Sequence, residues 1–111
     1  MPVSDEYQDF VFDQLSVLGG IHHRRMFGGI GIYREGWFFA LIENDTLRLK
    51  VDDSNRRDYE LAGMQPFRPY KNKKTVLQFY EVPVDVLEDQ QELMVWAQKA
   101  IRVAVSRRKT S

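Results

Sequence analysis

Tyr7, Phe10, Val11, Leu15 and Leu18 recur mostly at steps of three and four, the spacing of residues that share one face of a helix. Ser4 stands ahead of them as an N-cap, and Asp5 and Glu6 put negative charge in the first turn, where the helix dipole favours it. Gly19-Gly20 follows and can end the helix in a left-handed cap. The pattern predicts a helix over 5–18. From Ile21 onward the period falls to two. Ile30 to Arg34, Trp37 to Ile42 and Thr46 to Val51 read as strands joined by Glu35-Gly36 and Glu43-Asn44-Asp45. Links this short make the strands antiparallel neighbours. Trp37 to Ile42 is apolar on both faces and predicts a central strand. Leu47, Leu49 and Val51 alternate with Arg48 and Lys50, which predicts one solvated face. Ile21 to Phe27 reads as a preceding strand, with His22-His23-Arg24-Arg25 polar on both faces.

In the second half, Asp52 or Asp53 can cap a short helix over 54–62 that Gly63 stops. Phe67 to Tyr70 and Thr75 to Tyr80 form a second hairpin around Lys71-Asn72-Lys73-Lys74. Prolines at 66 and 69 cannot donate to a ladder, so the first of these strands belongs on an edge. Val82-Pro83 breaks the pattern before a short turn at 84–88. Asp89-Gln90-Gln91-Glu92 has a capping-box pattern, and Leu93, Trp96, Ala97, Ala100, Ile101 and Ala104 continue at helical spacing. That is a long helix over 90–105, with 106–111 as a tail. The expectation is a single α+β domain over 1–111, an antiparallel sheet of about five or six strands packed by an N-terminal and a long C-terminal helix.

Composition narrows the function classes. At 43% hydrophobic and 29% charged residues, the 111-residue chain has the make-up of an ordinary globular domain. No apolar run approaches the roughly 18 residues that span a bilayer, and the acidic N-terminus lacks a signal-peptide core, which together read as a cytoplasmic protein with no membrane partner. The absence of Cys removes disulfides, thiolate metal sites and cysteine nucleophiles. Sixteen Lys plus Arg balance sixteen Asp plus Glu, so the net charge is zero. The balance is made of blocks, however. Residues 21–34 and 66–80 contain bases and no acid, whereas 1–20 and 81–92 contain acids and no base. Such blocks become functional faces if the fold gathers them.

Individual motifs carry little chemistry. Adjacent histidines on a strand point to opposite faces, so His22-His23 cannot jointly hold a metal without irregular backbone. Gly28-Gly29-Ile30-Gly31 resembles a phosphate loop, but a strand rather than a helix N-terminus follows. The glycines read instead as sites of positive φ or close backbone packing. Asp52-Asp53 and Glu88-Asp89 lie at helix starts and serve as caps. No catalytic, cofactor-binding or metal-ligating residue is expected, and an enzyme or small-ligand binder would need a pocket that sequence does not reveal. The constellation with more content is basic and aromatic. Arg48, Lys50, Arg68, Lys71, Lys73 and Lys74, with Tyr70 and Tyr80 nearby, could contact nucleic-acid backbone and bases. The same face could instead be solvated, its lysines discouraging edge pairing.

Arg24-Arg25-Met26-Phe27-Gly28-Gly29-Ile30-Gly31-Ile32-Tyr33-Arg34-Glu35-Gly36, read as one string, resembles the signature of the TfoX/Sxy N-terminal domain family. Further matches follow in order: Phe39-Ala40-Leu41, Leu47 to Asp52, Ala62 to Phe67, Tyr80 to Pro83 and Trp96 to Ala100. The resemblance spans about residues 5–104. It implies a regulator connected with competence for DNA transformation, acting as a transcriptional co-regulator through contacts with the transcription machinery rather than as an enzyme. Met26, Phe27, Gly28, Gly29 and Gly31 belong to its most characteristic segment, and Arg24 and Arg25 are candidate partner contacts. Longer family members carry a second, helical C-terminal domain. This chain departs from them by ending after one domain, which reads as a single-domain member or a piece of a longer protein.

Overall fold

A computed structural model of the chain describes residues 4–26, 28–67 and 77–110. The first helix, α1 (Asp5–Leu15), begins where Ser4 Oγ accepts the Tyr7 N–H at 3.2 Å. A 3₁₀ turn (Ser16–Leu18) carries it to Gly19, whose φ of 71° ends it. Strands β1 (Ile21–Met26), β2 (Gly29–Arg34), β3 (Trp37–Glu43) and β4 (Thr46–Lys50) follow as an antiparallel meander. Glu35-Gly36 and Asn44-Asp45 turn the chain between them with φ positive at both residues of each pair, the backbone twist that suits two-residue hairpins.

A short helix α2 (Arg56–Leu61) leads to β5 (Pro66–Phe67) and β6 (Leu77–Glu81), then α3 (Val84–Glu88) and the long α4 (Gln90–Thr110). The strand order is β1-β2-β3-β4-β6-β5, so β3 and β4 are central and β1 and β5 lie at the edges. This is the expected α+β architecture with an open antiparallel sheet. Several local readings differ: 84–88, expected as a turn, is the helix α3, and α4 continues past residue 105, where a tail was expected. Asp52 does not cap α2; its carboxylate accepts the Ser54 N–H at 2.8 Å in the preceding turn, and Asn55 occupies the cap position. At α4, the Asp89 carboxylate accepts the Glu92 N–H at 3.2 Å, while Glu92 accepts the Trp96 indole N–H rather than closing the box. The residues expected at 68–70 of the second hairpin, its turn at 71–74, and Thr75 and Val76 lie outside the described residues.

All four helices contribute to one core on one side of the sheet. Ile30, Ile32, Ala40, Ile42, Leu47 and Leu49 point inward from β2, β3 and β4. They meet Val11 and Leu15 of α1, Val86 and Leu87 of α3, and Leu93, Ala97, Ala100 and Ala104 of α4. The register between β2 and β3 shifts at Ile32/Tyr33, which pairs Ile32 with Ala40 and Tyr33 with Phe38. Phe39 is the extra residue of this bulge and is itself fully buried in the core. Gln14 and Gln90 tie the ends of the helices together: Gln14 Nε2 donates to Leu87 O at 2.9 Å and Gln90 Nε2 to Gln14 O at 3.1 Å.

Candidate interaction face

Inward positions of a strand fix the outward ones. The pairings Gly31 with Leu41, Tyr33 with Phe38, Arg48 with Leu41 and Lys50 with Phe79 place those side chains on the face opposite the core. An aromatic ladder crosses it. Tyr33 and Phe38 stack with centroids 5.1 Å apart, and Phe38 meets Phe79 at 5.3 Å. Lys50 Nζ lies 5.3 Å above the Phe38 ring and 5.7 Å above that of Phe79. The Arg48 guanidinium sits 4.2 Å from the Phe67 centroid and 3.1 Å from the Glu43 carboxylate. The outward face is therefore not simply solvated. Arg48 retains only 15% side-chain exposure because an acid and a ring flank it.

The glycines shape the same face. A Cβ on Gly31 would lie 2.6 Å from Met26 Cε and 3.2 Å from Phe38 Cε1. Met26 thus crosses the space that a side chain at position 31 would take. A Cβ on Gly29 would strike the carbonyl oxygen of Ile42, where β2 and β3 approach. Gly28 turns the chain into β2 with φ of 77°. These are the backbone uses anticipated for the Gly-Gly-x-Gly string. Phe27 lies outside the described residues.

Arg24 shares the outward face, because it pairs with Gly31; Arg25 pairs with Ile30 and so points to the helix side. His22 and His23 likewise diverge, and His23 stacks on Phe12 of α1 at 4.6 Å. His22 through Arg25 are all exposed. The hydrogen-bond phase of this edge follows from one contact. Glu35 N–H donates to Gly20 O at 3.0 Å, so the alternation of an antiparallel ladder turns His22, Arg24 and Met26 toward β2. The backbone groups of Ile21, His23 and Arg25 point away from the sheet.

Of the candidate contact residues, the fold gathers Arg24, Arg48 and Lys50 on one face and leaves Arg25 on the other. Arg68, Lys71, Lys73, Lys74 and Tyr70 lie outside the described residues. Tyr80, expected beside the basic residues, faces the helices and packs on Tyr59 at 5.5 Å. Sequence reasoning missed Tyr33, Phe38, Phe67 and Phe79 as a set. The signal was the pairing register, which the bulge at Phe39 displaces by one residue.

Other chemistry is sparse among the described residues. No three His, Asp or Glu side chains group at metal-binding distance. A shallow, open cleft of about 450 Å³ is lined by Asp52, Asp53, Ser54, Arg56 and Gln78, with Arg56 paired to Asp53. It is lined by charged and polar residues and lies open to solvent, unlike the enclosed pockets that hold most small ligands. The Tyr59 hydroxyl is buried without a hydrogen-bond partner among the described residues, and burial pushes its pKa far above the ordinary tyrosine value. Burial also raises that of Tyr7, although its hydroxyl oxygen accepts the Leu47 N–H at 2.9 Å, which pulls the other way. Among the described residues, no helix is long and apolar enough to cross a membrane.

The described residues define an open-faced antiparallel α+β domain with its helices on one side and an aromatic-basic surface on the other. The chain belongs to the TfoX N-terminal domain family, whose model matches residues 13–104. A search among curated proteins finds no match.

Proposed function

We propose that this domain is a regulatory module that acts as a transcriptional co-regulator by contacting proteins of the transcription machinery, in a process such as competence for DNA transformation, and not by catalysis. The family match over 13–104 carries this reading. The exposed basic run His22 to Arg25, which lies within the matched span, supports a contact role for that segment. The test is affinity capture with the immobilised domain from the source cell, read against RNA polymerase subunits and transcription factors. Repeated recovery of a transcription protein, in ratios that survive washing, is the expected outcome. Its consistent absence overturns the reading.

Direct nucleic-acid binding is a second reading, favoured by the Tyr33–Phe38–Phe79 ladder with Lys50 above it, since unpaired bases stack on such rings. The Arg48 charge weighs against it, being matched by Glu43 and stacked on Phe67. Steep weakening with salt is the signature of this mode.

A further inference from the structure

An open sheet can accept another strand only at its edges, and the two edges here are built differently. The described part of β5, Pro66–Phe67, begins with a residue that has no N–H to donate. Its pairing with β6 also shifts register between Pro66 and Phe67. β1 has neither a proline nor a bulge. It runs in unbroken register with β2 from Ile21 to Met26, and the outward N–H and C=O groups of Ile21, His23 and Arg25 have no hydrogen-bond partner among the described residues.

What guards this edge is charge. His22, His23, Arg24 and Arg25 are exposed, with no acid inside the strand. A second copy pairing antiparallel through the same edge would bring bases opposite bases, which destabilises a strand pair. An incoming strand with Asp or Glu at cross-strand positions would instead reach Arg24 on the outward face and Arg25 on the helix face. Beside Arg25, the Phe12 ring stacked on His23 offers apolar surface to a neighbouring side chain.

We infer that β1 is a docking edge at which an extended acidic segment of a partner protein adds as a further strand, held by the outward backbone groups of Ile21, His23 and Arg25 and selected by Arg24 and Arg25. This deepens the protein-contact reading and rests on it.

The probe is a capped peptide with adjacent glutamates between valines (Val-Val-Glu-Glu-Val-Val), which presents one carboxylate to each face, compared with its paired-lysine counterpart and with an oligothymidylate. Each is titrated into the isotope-labelled chain while amide exchange is read residue by residue. Saturating acidic peptide should slow exchange at His23 and Arg25 by about tenfold or more. Arg24 and Met26, whose amides already face β2, should change little, and the lysine peptide should have no effect. The double variant R24E/R25E alters two exposed side chains and should reverse the preference toward the lysine peptide. His23→Pro removes an outward N–H and should abolish the protection at Arg25. Absence of protection at His23 and Arg25 at millimolar acidic peptide overturns the inference, as does equal protection by the lysine peptide. Binding of oligothymidylate alone also overturns it, in favour of phosphate recognition. If R24E/R25E captures transcription proteins as well as the parent chain does, the edge inference falls while the co-regulator reading stands. If the acidic peptide docks but no transcription protein is ever captured, the reverse holds.

Discussion

Among the described residues, Tyr59 buries a polar side-chain atom that nothing compensates. Its ring is well used, packed edge-on against Trp96 at 4.7 Å and tilted against Tyr80 at 5.5 Å, but its hydroxyl has no partner among the described residues. Removing a buried hydroxyl that makes no hydrogen bond relieves a desolvation penalty. Tyr59→Phe should therefore stabilise the fold by up to about 1 kcal/mol at neutral pH. The pH dependence has a definite sign. An unfolded tyrosine loses its proton near pH 10, whereas burial holds the folded pKa above that value. The folded chain then keeps a proton that the unfolded chain releases, so stability is intact below about pH 10 and falls as the pH rises beyond it. Tyr7 shifts in the same direction. Denaturant midpoints measured from neutral to alkaline pH should show this decline in the parent chain and a shallower one in Tyr59→Phe. An identical decline in both would contradict the account.

The strands and helices were legible because each carries its own period. The α1 cap at Ser4, the meander from Ile21 to Lys50, the proline-marked edge strand and the α4 stripe all follow from local spacing. What was not legible depends on tertiary partners. Asn55, the buried polar residue among the described ones, holds the turn before α2: its Oδ1 accepts the Asp52 N–H at 2.9 Å and its Nδ2 donates to Lys50 O at 3.2 Å. Sequence reasoning chose the neighbouring aspartates, because nothing local shows which side chain will be buried. The ring ladder was missed for a similar reason, since the bulge at Phe39 decides which rings share a face. The β2–β3 contact is where the glycine string acts on an element. Gly29→Ala would press a Cβ against the Ile42 backbone, which cannot swing aside as a side chain can. A loss of about 1–3 kcal/mol is expected. In Gly31→Ala the obstacle is the flexible end of Met26, so the loss should be smaller. Equilibrium unfolding of both variants tests the order.

For the molecule as a whole, a net charge of zero conceals an uneven distribution. The cations of the central sheet, Arg48 and Lys50, are drawn onto rings, while those of β1 stand at an exposed edge. If repulsion is what keeps two such edges apart, neutralising Arg24 and Arg25 to threonine should let the chain pair with itself as its concentration rises. Sedimentation would then show a dimer that the parent chain does not form at the same concentration; a strictly monomeric variant would contradict the argument. The outcome should also have a ceiling. Because the described part of the β5 edge opens on Pro66, which has no N–H to donate, and shifts register against β6 at the next residue, a strand pair formed through β1 leaves the poorer template at the other edge. Strand pairing through β1 thus favours a closed pair over a sheet that keeps growing.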